Sequence, residues 1–259
     1  MAIEVFNRFE YKYRIDEKTL TRVIDEIEKH MVTDSYCKNH SLYTIANIYY
    51  DTGDSYLIRQ SLSKPPYKEK LRLRSYGVPD MDSEAYLEIK KKVKGLVNKR
   101  RTALKLGEAY DFVKSGAKPV KREYMNGQVL NELEYFLRIH DVAPKTYIAY
   151  DRLAYFGKGS DDLRISFDTN IRSRRSELRL ELGDHGSLLL DKGLYIMEIK
   201  TSLGMPVWLA DMLTELGIHR TSFSKYGTEY KEYLKQGSRG ERRFYPALAR
   251  GGKDMAAAL

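Results

Sequence analysis

Two neighbouring stretches decide the fold: KEKLRLR at residues 68–74 and AYLEIKKK at residues 85–92. Charged and apolar residues alternate in both, which is typical of β-strands because successive side chains of a strand point to opposite faces. Arg72 and Arg74 share one face of the first strand, and the intervening leucines share the other. A third run, at residues 96–101, follows directly. The stretch therefore predicts a sheet with one ionic face and one apolar face.

The same alternation recurs along the chain. It predicts further strands at residues 6–15, 41–51, 145–156, 163–168, 172–182 and 194–200, with a hairpin around Asn170. Apolar residues at helical spacing predict helices at residues 17–31, 54–62, 103–115, 122–140, 206–216 and 223–234.

The helices need an apolar surface to pack against, and the apolar face of the sheet offers one. A flat sheet would then expose its ionic face to water, whereas a sheet closed into a barrel would enclose it and leave no free edges. We therefore predict an α+β fold, a sheet closed into a barrel with helices packed outside. It would form one domain over residues 1–236, and a disordered tail would follow over residues 237–259.

The composition narrows the class of partner. The chain has 259 residues and a formal net charge of +9, so nucleic acid, phosphate chains or an acidic membrane surface are the expected partners. A single cysteine, Cys37, excludes an intramolecular disulfide and favours a reducing compartment. Residues 1–14 lack the apolar core of a signal peptide, and no run is long enough to cross a bilayer. We expect a soluble, cytoplasmic protein.

The ionic face of the predicted barrel carries many more bases than acids. Like charges enclosed together are costly unless something neutralises them. A polyphosphate ligand would do so, with a divalent metal held by the few acids. The inward bases are Lys12, Arg72, Arg74, Lys90, Lys99 (or Arg101 on the same face), Arg152, Arg164, Lys200 and Lys225, and the inward acids are Glu10, Glu88 and Glu198, with Asp168 as a fourth candidate.

Several short motifs carry a family resemblance when they are taken in order. They are EYKY at 10–13, LRLR at 71–74, LEIK at 87–90, YDR at 150–152, RISFD at 164–168 and MEIK at 197–200. Together they resemble the CYTH or triphosphate tunnel superfamily. SFSKY at 222–226 narrows the resemblance to the VTC domain, a polyphosphate polymerase domain, and the similarity extends from Arg8 to Tyr230.

The resemblance implies that the barrel is a closed antiparallel tunnel of about eight strands. Such a tunnel binds a nucleoside triphosphate through lysines and arginines, with Mn²⁺ or Mg²⁺ held by a glutamate. Glu198 matches that glutamate, and Glu10 and Glu88 are further candidates. Arg8 stands where tunnel hydrolases usually carry the first glutamate of Glu-x-Glu-x-Lys, which disfavours hydrolase chemistry. The implied phosphate ligands are Lys12, Arg72, Arg74, Lys90, Lys99, Arg152, Arg164, Lys200 and Lys225, and the implied catalytic set is Lys12, Arg72, Arg74, Lys90, Arg152, Arg164 and Glu198.

The leading functional hypothesis is a polyphosphate polymerase that transfers the γ-phosphoryl group of ATP to a growing polyphosphate chain. A terminal phosphate acceptor needs no general base, which fits an ionic face without histidine. Two alternatives stay open: a tunnel triphosphatase, and a non-catalytic module that binds polyphosphate. The expected partners are ATP and inorganic polyphosphate, with no specific nucleic acid, and export of the product would need a separate membrane protein.

Overall fold

The computed structural model describes residues 9–37, 41–93, 96–202 and 204–242. In these ranges the strands are β1 (Phe9–Asp16), β2 (Met31–Thr33), β3 (Tyr43–Thr52), β4 (Tyr67–Tyr76), β5 (Glu84–Val93), β6 (Leu96–Lys105), β7 (Val142–Gly157), β8 (Ser160–Arg174), β9 (Ser187–Leu188) and β10 (Leu194–Thr201). The helices are α1 (Glu17–Ile27), α2 (Tyr56–Leu62), α3 (Leu106–Ser115), α4 (Gly127–Ile139), α5 (Val207–Glu215) and α6 (Lys225–Arg242). None of these helices is long and apolar enough to cross a bilayer.

One antiparallel sheet contains every strand, which confirms the predicted α+β class. Its strand order is β1-β10-β8-β7-β3-β4-β5-β6, with β2 paired to β7 and β9 paired to β8. The charged residues of the motifs face one another across neighbouring strands, as in the pairs Arg72–Glu88 and Lys12–Glu198. The register therefore brings the charged residues of these motifs onto one face of the sheet.

The predicted closure into a barrel is wrong for the part of the chain described. β1 and β6 are the two ends of the strand order, and no hydrogen-bonded pairing joins them in the described residues. The sheet curls instead until side chains meet across the gap, where Lys90 Nζ lies 3.5 Å from Glu10 Oε2. Two long side chains meeting end to end hold strands farther apart than the ~4.8 Å of paired strands. The result is a strongly curled sheet with a concave ionic face.

Four helices cover the convex face, as predicted. α3 and α4 pack on β3 to β6 through residues such as Phe112, Leu133 and Phe136. α1 and α5 pack on β1, β7, β8 and β10 through residues such as Val23 and Leu209. Asp16 caps α1 as its spacing indicates, because its carboxylate accepts a hydrogen bond from the Thr19 N–H at 2.8 Å.

α6 is the exception to the predicted external helices. Its Tyr226 and Tyr230 pack against Ile45, Tyr49 and other residues of the concave face, and α2 joins the same cluster through Ile58. The helix continues to Arg242 rather than ending near residue 234. Residues 243–259 of the predicted tail lie outside the described part of the chain.

The predicted hairpin around Asn170 is also absent. β8 runs straight through Asn170, whose φ of 47° is in the left-handed region. The register against β7 shifts at this point, so that two residues of β8 lie opposite one residue of β7. Asn170 therefore forms a β-bulge rather than a turn, because asparagine tolerates this conformation better than most residues.

Candidate phosphate-binding site

The concave face gathers fourteen charged side chains that we call the concave cluster. Its bases are Lys12, Lys70, Arg72, Arg74, Lys90, Lys99, Arg101, Arg152, Lys200 and Lys225, and its acids are Glu10, Glu88, Asp168 and Glu198. With all groups ionised, ten bases stand against four acids, an excess of six positive charges. The cluster includes every sequence-predicted base except Arg164.

Glu88 lies on the floor of the cluster and pairs with β4 and β6. It is 0% exposed, and Arg72 Nε donates to its Oε2 at 2.5 Å, while Lys99 Nζ lies 3.6 Å from its Oε1. Burial raises the pKa of Glu88, but Arg72, Arg74 and Lys99 outweigh this effect and hold the pKa well below its usual value. Glu88 is therefore a permanent negative charge that fixes Arg72.

Arg74 is held by neutral groups alone. Its guanidinium donates to Asn47 Oδ1 and to the Tyr150 hydroxyl, both at 3.0 Å, and the described residues place no carboxylate within 4 Å of it. The guanidinium is buried, with 7% exposed. A buried, oriented cation without a carboxylate partner suits an anionic ligand that supplies the missing charge.

Asp168 organises a third group at the start of α6. Arg152 donates to both of its carboxylate oxygens, at 2.6 and 2.8 Å, and Lys225 donates to Oδ2. Lys225 also lies over the Tyr150 ring, with Nζ 4.2 Å from the ring centroid. The strand alternation did not predict this position for Lys225; the family resemblance did, and the structure brings it into the cluster.

Glu10 and Glu198 converge on Lys12. Lys12 Nζ lies 3.1 Å from Glu10 Oε1 and 3.5 Å from Glu198 Oε2, and Lys200 Nζ lies 2.5 Å from Glu198 Oε1. Burial raises the pKa of Glu10, but Lys90, Lys200 and Lys12 outweigh it and bring the pKa to about 2. Both acids are therefore ionised at neutral pH.

The donor set fits a divalent metal at Glu10 and Glu198. Mg²⁺ and similar hard cations are often held by one or two carboxylates and complete their coordination with substrate phosphates. The described residues contain no group of three or more His, Cys, Asp and Glu side chains that could hold a metal without such help. Glu88, the third candidate ligand, shares no ion-pair partner with these two acids in the described residues.

Lys70 is a member of the cluster that the sequence reasoning did not select. It shares the face of Arg72, and its Nζ lies 3.4 Å from the Ser224 hydroxyl. Burial, together with the positive charges of Lys90 and Lys68, lowers its pKa to about 7. The i, i+2 spacing to Arg72 was the available signal, because it places both side chains on one face.

Arg164 lies opposite Lys200, on the same face of β8 as Asp168, but no acid of the cluster pairs with it in the described residues. Its guanidinium pairs with Asp34 at 3.3 Å and covers the Phe156 ring at 4.8 Å. Asp34 follows β2, a strand that the sequence did not predict, so this partner could not be foreseen. Arg8, the position at which the hydrolase glutamate is missing, lies outside the described residues.

Comparisons with known proteins agree with this fold. The VTC domain model matches residues 7–234. The chain has no match among curated proteins. A solved structure of an adenylyl cyclase candidate from Hippeastrum with a dominant triphosphatase activity is similar at a TM-score of 0.50 and 14% identity, over 86% of this chain and 95% of that one. A candidate adenylate cyclase from Bacillus halodurans gives 0.48 and 16%, over 85% and 96%. At 14% identity, the similarity to the first of these structures indicates a shared fold.

Proposed function

Because this chain belongs to the VTC domain family, we propose that it is a metal-dependent polyphosphate polymerase that uses ATP. The observation that carries the proposal is the excess of basic side chains in the concave cluster, ten against four acids, which a ligand with several negative charges would balance. A triphosphate or a polyphosphate chain has that charge and a matching linear shape. Arg74 and Lys70, which have no carboxylate partner among the described residues, are the first candidates for phosphate contacts.

The proposed reaction is an in-line phosphoryl transfer. A terminal oxygen of the polyphosphate chain attacks the γ-phosphorus of ATP, the bond from that phosphorus to the β–γ bridging oxygen breaks, and ADP leaves with that oxygen. The acceptor oxygen is already anionic near neutral pH, so no base has to remove a proton. Catalysis then consists of positioning and charge neutralisation, which loose phosphoryl transition states require most.

The chain's own residues would divide this work. Arg72 and Arg152 are fixed by Glu88 and Asp168, so their remaining N–H groups can bind phosphate oxygens without a change of rotamer. Lys12, Lys90, Lys99, Lys200 and Lys225 would supply further positive charge along the phosphate chain. Glu198 and Glu10 would hold the Mn²⁺ or Mg²⁺, which when bound neutralises charge on phosphate oxygens.

One observation favours a second function, hydrolysis of a triphosphate. Glu10 and Glu198 meet at one lysine. Two neighbouring carboxylates can orient a water molecule as well as bind a metal. A triphosphatase would place this pair beside the terminal phosphate and release inorganic phosphate.

A single assay separates the two functions. Purified protein is incubated with ATP and Mn²⁺, with and without a short polyphosphate primer, and the products are resolved by gel electrophoresis and ³¹P NMR. We expect ADP together with chains longer than the primer. Release of free phosphate without longer chains would establish the hydrolase and exclude the polymerase. Binding without consumption of ATP would exclude both.

A further inference from the structure

Four strands present an aromatic row at one end of the concave face. Tyr43 of β3, Tyr76 of β4 and Tyr86 of β5 follow one another, with centroid distances of 6.2 Å and 5.8 Å. Arg101 of β6 continues the row, its guanidinium carbon 4.7 Å from the Tyr86 centroid. Tyr36, from the turn after β2, stacks on Tyr76 at 5.9 Å with an interplanar angle of 7°. We call these five residues the aromatic rim.

The rim adjoins the concave cluster directly. Tyr76 lies two residues after Arg74, and Tyr86 lies two residues before Glu88, on the same faces of β4 and β5. Two residues of strand span about 7 Å. The opposite end of this face is covered by α6, where Tyr226 stacks on Tyr49. The rim is therefore at the uncovered end of the face.

Tyr43 packs against two of the buried clusters, but packing in the core does not account for Tyr36 and Tyr76. Tyr36 is 67% exposed and Tyr76 is 41% exposed, and neither belongs to any of the three buried clusters. The turn that carries Tyr36 is nevertheless fixed, because Asp34 accepts a hydrogen bond from the Tyr36 N–H at 3.2 Å and pairs with Arg164. Ordered aromatic rings that face solvent beside an anion site are suited to a ligand with one flat end and one charged end.

We propose that the aromatic rim binds the nucleobase of the nucleoside triphosphate whose phosphates occupy the concave cluster. The proposal rests on the proposed function for the location of the phosphates. Tyrosine rings and an arginine plane stack on any base, with a preference for the larger ring system of purines. The rim would therefore select nucleotides over inorganic polyphosphates and purines over pyrimidines, with little discrimination between adenine and guanine.

The test compares two ligands with a triphosphate chain, of which only one has a base that can reach the rim. Dissociation constants for a non-hydrolysable ATP analogue and for inorganic tripolyphosphate are measured by calorimetry, without metal, for the wild type, Tyr36→Leu and Tyr76→Leu. We expect each substitution to weaken the analogue by roughly 5- to 100-fold, the range that loss of one base–aromatic contact produces. Tripolyphosphate should change by less than about twofold, since it has no base to stack. Tyr36→Phe and Tyr76→Phe should restore wild-type binding.

Tyr135→Leu is the matched control. Tyr135 is 55% exposed on α4 and also lies beneath an arginine, Arg138, but it is on the convex side. It should change neither dissociation constant. Equal losses for both ligands, or no loss for the analogue, would overturn the rim proposal. These binding results do not depend on turnover. If the protein made no polyphosphate but Tyr76→Leu weakened binding of the analogue, the rim proposal would stand and the polymerase proposal would be excluded.

Discussion

Substitution of Glu198 should affect turnover of ATP and metal-free binding of polyphosphate in opposite ways. Substituting Glu198→Gln keeps the side-chain shape and removes the negative charge that faces Lys12 and Lys200. We expect turnover of ATP to fall at least roughly 100-fold, as for the loss of one electrostatic catalytic contact. Binding of tripolyphosphate without metal should persist or tighten, because an anion site has lost a negative charge. Initial rates over a Mn²⁺ titration, with calorimetry alongside, check both statements.

Glu10→Gln is the companion to that experiment, because Glu10 shares Lys12 with Glu198. If Glu198→Gln retained near wild-type turnover at limiting Mn²⁺ while Glu10→Gln lost it, the metal would belong to Glu10. Full activity in both variants would exclude Glu10 and Glu198 as the metal ligands.

Lys70 should make ligand binding depend on pH. Its pKa of about 7 means that it is half charged in the unliganded protein at neutral pH, and a bound polyanion would favour the charged form. Affinity for tripolyphosphate should therefore fall as the pH rises above 7, on the order of tenfold by pH 9, since one pKa unit is worth a factor of ten. Calorimetry from pH 6 to 9 measures this. Lys70→Arg, which stays charged throughout, should make the profile shallower. Part of the pH dependence should remain with Lys99, because burial lowers its pKa to about 7 as well, despite the opposing charge of Glu88. An unchanged profile in Lys70→Arg would assign the titration to another group.

The same pKa has the opposite consequence for stability. Between pH 7 and the ordinary lysine value of 10.5, the unfolded chain binds more protons at this position than the folded one does. The contribution of Lys70 to the free energy of unfolding of the unliganded protein therefore increases with pH in that window.

Individual site residues could be predicted where strand alternation alone decides the face. Arg72, Arg74 and Glu88 follow directly from the two quoted stretches, because a side chain on a paired strand has only two directions. The ion-pair partners could not be predicted in this way. Arg152 with Asp168, and Lys99 with Glu88, depend on the register between consecutive strands, which the alternation within each strand does not give.

At the scale of elements, a buried aspartate joins three of them. Asp51, at the end of β3, is 0% exposed and accepts hydrogen bonds from the Leu57 and Ile58 N–H groups at the start of α2. It also accepts one from the Tyr226 hydroxyl of α6 at 2.9 Å. The carboxylate therefore fixes both helices that approach the concave face.

Tyr226→Phe should weaken the attachment of α6. It removes one hydrogen bond to a buried carboxylate, which is worth about 1.5–3 kcal/mol, and keeps the ring that stacks on Tyr49. Compared with the wild type, the variant should show faster amide hydrogen exchange in α6 and α2, and unchanged exchange in α3 and α4. Tyr233→Phe, at an exposed ring of the same helix, is the control and should leave exchange unchanged. Uniform acceleration across all helices would instead indicate global destabilisation.

The placement of α6 shows why elements are easier to predict than their packing. The spacing of Tyr226 and Tyr230 indicates a helix with one apolar stripe, and such a helix forms. The stripe does not specify which surface it covers. The concave face was expected to be wholly ionic, but Ile45, Tyr49 and Ile196 make one end of it apolar, and the helix packs there.

At the scale of the whole molecule, the excess positive charge should appear as ligand-dependent stability. The concave cluster is assembled only in the folded state, so tripolyphosphate bound there should raise the melting temperature by the linkage of binding and folding. Arg74→Gln should reduce this rise. It should lower the unliganded melting temperature less than Arg72→Gln does, because it takes a donor from the neutral Asn47 Oδ1 and Tyr150 hydroxyl but unpairs no carboxylate of the described residues. Differential scanning fluorimetry over a ligand titration measures both quantities.

Arg72→Gln provides the contrast. It leaves Glu88, which is 0% exposed, with Lys99 as its one ion-pair partner among the described residues, and should destabilise the unliganded protein on the order of 3 kcal/mol. The double variant Arg72→Gln/Glu88→Gln should recover most of that loss but not the ligand response. A full ligand-induced rise in Arg74→Gln and in the double variant would locate the anion site elsewhere.

Curvature is the global property that the sequence analysis misjudged. The alternation of charged and apolar residues predicts an ionic face and an apolar face, but it does not predict how far the sheet bends. The bend depends on twist, on the bulges at Asn170 and Tyr49, and on helices that fill both faces, and these are set by the assembled molecule.

The pairing of β1 with β10 has a consequence for how the protein is made. Phe9 to Asp16 pair with Leu194 to Thr201. The first strand of the described chain therefore cannot pair until the last strand, β10, has been synthesised. At about 5–20 residues per second, the wait is roughly 10–40 s. Until then Tyr13 and Ile15, which are 3% and 4% exposed in the finished protein, lack their sheet partner. Long-range pairings of this kind also fold slowly.

A nascent chain arrested after Lys192, with a linker that clears the ribosome, should therefore be cleaved by protease within its first strand. One arrested after Arg242 with the same linker should be protected there. Equal protection of both would mean that β1 finds a temporary partner during synthesis. Cleavage of the shorter chain alone would mean that β1 stays exposed, and open to aggregation, until β10 has been made.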